Sequence, residues 1–93
     1  MNIQVAPEIT EMKVTAYPNP APTQFTVKLE SSDARSPISI VVYSMNGKVM
    51  ETRQNLSAGQ TINLGKNYRP GVYVLEMIQG NQRKQLKLVK IPD

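Results

Sequence analysis

With no histidine and no cysteine among 93 residues, any chemistry in this chain must come from seven carboxylates, four tyrosines and eleven basic side chains. The carboxylates are Glu8, Glu11, Glu30, Asp33, Glu51, Glu76 and Asp93. A glycoside hydrolase needs two of them about 5–10 Å apart in a cleft. Glu51 and Glu76 fall on strand-like stretches and could meet across a sheet, but carboxylates on a solvated face ordinarily pair with neighbouring Lys or Arg. Asp33, in Ser31-Ser32-Asp33, is a single carboxylate among hydroxyls, too few for a calcium site of about six to eight oxygens. Without His or Cys there is no thiolate nucleophile, no imidazole base, no Ser-His-acid triad, no zinc finger and no disulfide. The five glycines stand singly, so no phosphate cradle forms. Tyr17, Tyr43, Tyr68 and Tyr73 could make a sugar platform. The more ordinary reading packs Tyr43 and Tyr73 into the core with their hydroxyls at its rim. The residues therefore support no catalysis, metal or cofactor, and point to a binding, sorting or structural role.

The net charge of +4 is unevenly placed. Residues 1–65 hold five basic and five acidic groups, whereas Lys66, Arg69, Arg83, Lys84, Lys87 and Lys90 face only Glu76, a local charge of +5. Edge lysines commonly keep a final strand from pairing with strangers. A second reading is a patch for an anionic or receptor surface. Nucleic acid is disfavoured, because no aromatic residue is interleaved with the basic residues of the last segment.

The elements that must position these groups are strands. Residues 1–11 read as a tail or linker, and residues 12–93 as one domain. Residues 12–17 alternate apolar with polar, and Pro18-Asn19-Pro20-Ala21-Pro22 stops them, holding that strand at a sheet edge. Residues 24–30 alternate cleanly, with Phe25, Val27 and Leu29 inward. Residues 38–43 carry apolar side chains on both faces, as a central strand would. Asn46-Gly47 is a strong hairpin signal, since both residues tolerate φ > 0. Residues 48–55 return as a more polar strand nearer an edge, and residues 61–64 form a short fifth strand. Pro70-Gly71 opens a central strand over 72–78, Gly80-Asn81 fits a type II′ turn, and residues 85–90 return. No stretch shows helical spacing, and no apolar run of eighteen residues exists to span a membrane. Seven short strands predict an all-β, seven-stranded antiparallel β-sandwich of Ig-like architecture, with an open barrel as the alternative.

The order of these motifs carries a resemblance. Tyr17-Pro18-Asn19-Pro20, Phe25-Thr26-Val27, Val42-Tyr43 with Gly47-Lys48-Val49, Pro70-Gly71-Val72-Tyr73-Val74 and Lys87-Leu88-Val89-Lys90 follow one another over residues 12–91. In this order and spacing the chain resembles the C-terminal sorting domain of cargo proteins exported by the type IX (Por) secretion system of Bacteroidetes. The resemblance implies a non-catalytic label at the end of a larger cargo. The cargo would pass through the periplasm, and the label would be recognised by an outer-membrane translocon. A sortase-like peptidase would remove it within residues 6–11, leaving the cargo attached to the cell surface or released. It also implies no cofactor, no nucleic acid and no membrane insertion. Carried over by motif, Pro18, Asn19, Pro20, Gly47, Lys48, Pro70, Gly71 and Tyr73 are mostly structural, while Lys87, Leu88, Val89 and Lys90 form the translocon-recognition element. The last strand, paired on one side only, would offer open backbone groups for strand addition. One departure is Ser44, where the family often has Asp. The other classes of function are an adhesive or carbohydrate-binding sandwich appended to a surface enzyme, and an inert spacer.

Overall fold

A computed structural model describes residues 10–93. Alternating inward residues close two antiparallel sheets over one core. The strands are β1 (Met12–Tyr17), β2 (Phe25–Ser31), β3 (Ile38–Ser44), β4 (Val49–Leu56), β5 (Thr61–Leu64), β6 (Gly71–Gln79) and β7 (Gln82–Lys90). One sheet has the order β1-β2-β5 and the other β4-β3-β6-β7. Among the described residues there is no helix. This is an Ig-like sandwich in which the fourth strand pairs with the third and not with the fifth. The expected placements hold: β1 and β4 are edges, while β3 and β6 are central.

Phe25, Val27, Leu29, Ile38, Ile40, Val42, Leu75, Met77 and Leu88 are fully buried between the sheets. With one phenylalanine and no tryptophan, this core is aliphatic. Phe25 is the largest of these fully buried side chains, and loop residue Gly65 lies hard against it. Gly65 has φ +83°, and a Cβ there would stand 2.8 Å from the Phe25 ring, so only glycine fits.

One turn differs from expectation: Asn46 and Gly47 both suit positive φ, but the β3–β4 loop has three residues and uses only one of them so. Gly47 donates to the Ser44 carbonyl at 3.0 Å, Ser44 N–H donates to the Lys48 carbonyl at 2.8 Å, and Gly47 alone has positive φ. That is a type I turn closed by a left-handed glycine, an alternative that a terminal Gly allows equally well. The Ser44 hydroxyl accepts from Lys48 N–H at 3.2 Å, so it supplies the turn bond that a carboxylate would otherwise make. At the end of β4, the register slips between Ile38↔Leu56 and Ile40↔Arg53, and Asn55 takes φ +58°. Asn tolerates that region better than most residues. The β6–β7 turn is as expected, with positive φ at Gly80 and not at Asn81, as type II′ requires.

The loop between β1 and β2 does more than stop a strand. It leaves one sheet, reaches the outer edge of β7 in the other, and returns. Both Tyr17-Pro18 and Asn19-Pro20 are cis. Asn19 Nδ2 donates to the Lys87 carbonyl at 2.8 Å, and Val89 N–H donates to Asn19 Oδ1 at 2.9 Å. Ala21, fully buried, then pairs as backbone: its N–H donates to the Val89 carbonyl at 2.9 Å, and Ile91 N–H donates to its carbonyl at 3.0 Å. The carboxamide of Asn19 stands in for one residue of an eighth strand. Pro18 and Pro20 lack N–H groups and leave no donors orphaned on the way. Replacing Asn19 with Ala removes both side-chain bonds and exposes their β7 partners. The expected loss is about 1–3 kcal/mol, read as a shift in urea midpoint with an unchanged m-value. A shift below about 0.5 kcal/mol would show that water replaces the carboxamide without cost.

Candidate functional site

The elements that bear on function converge on β7. The β6–β7 register places Tyr73↔Leu88, Leu75↔Leu86 and Gln79↔Gln82 opposite one another. A two-residue turn requires Gln79↔Gln82 to be a hydrogen-bonded pair. Residues 84, 86, 88 and 90 therefore bond to β6, while 83, 85, 87 and 89 turn their backbone groups outward. The outward groups of Val89 and the Lys87 carbonyl are taken by Asn19 and Ala21. Among the described residues, the outward groups of Arg83 and Gln85 and the Lys87 N–H have no partner. The open edge expected along the whole last strand is thus confined to residues 83–87. The reason is the Pro-Asn-Pro loop, which closes the rest.

Lys87, Leu88, Val89 and Lys90 divide by parity. Lys87 is exposed and Val89 half-buried, both outward. Leu88 is fully buried and Lys90 is 5% exposed. Lys87 and Lys90, expected together on the accessible side, lie on opposite faces because three residues separate them on a strand. The Lys90 ammonium donates to the carbonyls of Gly65 at 2.6 Å, Tyr68 at 3.2 Å and Lys66 at 3.3 Å. A buried charge with three carbonyl acceptors is satisfied without a counter-ion, and it closes the loop that Gly65 starts.

That loop leads into Pro70, Gly71 and Tyr73. Tyr73, the third residue of β6, is buried, and its hydroxyl donates to the Arg69 carbonyl at 2.6 Å. A tyrosine near the start of this strand bonding backbone a few residues upstream is the tyrosine corner of Ig-like sandwiches. The Tyr68 and Tyr73 rings pack with centroids 4.9 Å apart. Tyr68 O–H donates to Glu51 Oε1 at 2.9 Å, and burial, then that bond, pushes the Tyr68 hydroxyl well above its usual pKa. Glu51 also binds Arg53 at 2.6 Å. Tyr43 is not in the core as expected but on the outer face of its sheet beside Val49 and Val74, and Tyr17, at 52% exposed, is on the other sheet, so the tyrosines assemble no sugar platform.

Glu51, Glu76 and Asp33 are engaged by neighbours. Glu51 pairs with Val42 and Glu76 with Val41, adjacent β3 residues, so the two acids lie on opposite faces of one sheet. Glu76 accepts from Arg83 Nη1 at 2.8 Å and from Gln85 Nε2 at 3.0 Å. The Gln85 hydrogen bond above all, with the Arg83 guanidinium, holds its carboxyl below the usual range against the opposing effect of burial. Asp33 Oδ1 accepts from Arg35 N–H at 2.9 Å and from Ser36 N–H at 3.1 Å, closing its own turn. Among the described residues, no three acids come together as a metal site. Sequence reasoning missed Gln79, which is 4% exposed and binds the carbonyls of Asp33 and Ser36 and the hydroxyl of Ser31. A glutamine closing an apolar strand was its only signal. Of the stretch over residues 6–11, only Thr10 and Glu11 lie within the described residues. They border a cleft of about 610 Å³ that also touches Lys84.

Residues 15–91 match the family model described as the secretion system C-terminal sorting domain. No curated protein matches the chain.

Lys90→Met keeps the aliphatic stem and leaves three carbonyls without their donor. The expected loss is about 2–3 kcal/mol, or roughly 10–20 °C in thermal midpoint for a domain of this size, measured by circular dichroism. An unchanged midpoint would mean that the ammonium does not hold the loop. Glu76 gives a pH signature. Its folded pKa is depressed, so its contribution is present above the ordinary value of 4.5 and is lost as pH falls through the lower folded value. Glu76→Gln should therefore flatten the fall of thermal midpoint below pH 4.5, and parallel curves for the two proteins would refute the assignment.

Proposed function

The chain belongs to the secretion system C-terminal sorting domain family, a type IX secretion sorting signal, and from that premise we propose that its last ribbon is the part the export machinery reads. In this reading, a larger cargo joined to the N-terminal side passes through the periplasm. An outer-membrane translocon engages the exposed side of β7, and a sortase-like peptidase removes the label for surface attachment or release. The domain itself performs no catalysis. Residues 12–93 act as the folded unit and the residues before them as the joint.

The observation that carries the reading is the division of β7. It is closed by Asn19, Ala21 and Lys90 at one end and open over residues 83–87 at the other. Open strand groups beside Arg83, Lys84 and Lys87 suit an extended segment of a receptor, with main-chain bonds for affinity and carboxylates for choice. Lys87 is the residue we assign to recognition. Leu88 and Lys90 serve by holding β7 in place, and Val89 contributes only its outward side. The joint is constrained as well. Glu11 N–H donates to Ser32 Oγ at 2.9 Å, and Ser32 N–H donates to the Glu11 carbonyl at 2.9 Å. A peptidase that needs an extended, unpaired substrate would therefore cut before residue 11.

The test fuses the domain to a folded periplasmic reporter in a bacterium that has the system. Lys87→Glu should lower the exported fraction by about tenfold, as reversal of a charge at an interface does, with the purified domain melting within a few degrees of the wild type. Full export of a Lys87→Glu variant shown to be folded would end the assignment. This substitution is cleaner than truncation, which would also remove Leu88 from the core.

A further inference from the structure

The two sheets turn different outer faces to the surroundings. On the three-stranded sheet the outward rows are Lys13↔Glu30, Thr15↔Lys28↔Thr61 and Tyr17↔Thr26↔Asn63. Apart from Tyr17, these are the charged and hydroxyl pairs expected of a face in water. On the four-stranded sheet, the register puts Val49, Tyr43, Val74 and Lys87 in one row and Val72 beside Val89 in the next. Val41 flanks Tyr43 two residues along β3, on the same face. These six apolar side chains form a continuous stripe across four strands. None belongs to the buried core, and Val49 is 51% exposed. In a sandwich the residues that alternate with the core are normally polar. An apolar outer face on central strands is the pattern of a sheet covered on both sides, yet no described residue covers this one.

The borders of the stripe say what would cover it. Lys87 closes it at the β7 end, whereas Lys48, next to Val49, belongs to the opposite face. Lys87 is exposed and is not among the ion pairs of the described residues. The carboxylate on this face, Glu76, is held by Arg83 and Gln85. We infer that the stripe is a docking face for a protein partner whose apolar surface is bordered by a carboxylate that meets Lys87. With Arg83 paired to Glu76, Lys87 is too little unpaired positive charge on this face for an anionic lipid surface, which clusters of basic residues bind. The inference rests on the sorting function proposed above and deepens it. The partner is then a component of the export machinery, and it grips the flat face as well as the open edge.

The experiment uses the same reporter fusion, carrying Val41→Thr, Val72→Thr and Val74→Thr together. Threonine keeps the β-branched shape and strand preference while removing apolar contact. Export should fall by about tenfold or more, as when central interface residues are truncated, while the purified domain keeps a cooperative melt. Should the triple variant fail to fold, Val49→Lys, at the most exposed end of the stripe, is read in the same way. Wild-type export by a folded variant overturns the inference and leaves the sorting function intact. Failure of the unaltered domain to export the reporter counts instead against the sorting function itself. Two further outcomes would also overturn the assignment. In one, the wild-type domain sediments as a dimer that Val49→Lys makes monomeric, so the occupant is a second copy. In the other, the domain floats with phosphatidylcholine–phosphatidylglycerol vesicles, so the occupant is a membrane.

Discussion

A strand at the end of a chain and at the edge of a sheet has one row of backbone groups with nothing to bond to, and the rest of this structure answers that problem in β7. Edges left bare invite pairing with other chains. Here the answer comes in two forms. The loop after β1 crosses between sheets to offer a carboxamide and one residue of true strand pairing. Lys90 anchors the far end from inside, with its ammonium over the carbonyls of residues 65, 66 and 68. The prolines that flank Asn19, the glycine that lets residue 65 lie on Phe25, and the tyrosine corner at Tyr73 all hold one of these two attachments in shape.

The resemblance motifs thereby acquire a physical meaning. Pro18, Asn19 and Pro20 close an edge. Gly47 supplies the left-handed residue of a three-residue turn, and Lys48 accepts the first bond across it. Pro70 and Gly71 start β6, and Tyr73 ties that start to the loop before it. Leu88 and Lys90 are internal. Lys87 differs from Leu88 and Lys90 in being exposed, and it lies outside the ion pairs of the described residues.

The seven strands were legible because Pro, Gly or Asn separates them and several, β2 above all, alternate with period two. Strand centrality was legible too, since β3 and β6 alone are apolar on both faces. The inward direction of Lys90 was readable from parity, because Leu86, Leu88 and Lys90 share a face. Its positive charge argued for water and concealed that. The β7 clamp was not legible: Asn19 and Val89 are 70 residues apart, and nothing local to either names the other. Asn46-Gly47 was recognisable as a turn but not as a three-residue one, because both loop lengths accept glycine at that point. The bulge at Asn55 reflects register between β3 and β4, a property of two strands that neither shows by itself.

The sequence separation of these attachments bears on how such a label could be read. Asn19 reaches β7 across 68 and 70 residues, and Lys90 reaches its carbonyls across 22 to 25. Contacts that distant carry a loop-closure entropy that the packed core must offset. The arrangement of β7, closed over 87–91 and open over 83–87, therefore exists only once the first loop and the 65–68 loop are in place. A short linear tag would show the same residues whether or not the chain had folded. In this domain, Lys87, the open edge and the stripe across β4, β3, β6 and β7 are brought together by the sandwich alone. A receptor that requires all three is reading the completed fold, and the many motif residues turned inward are what make that reading conditional on folding.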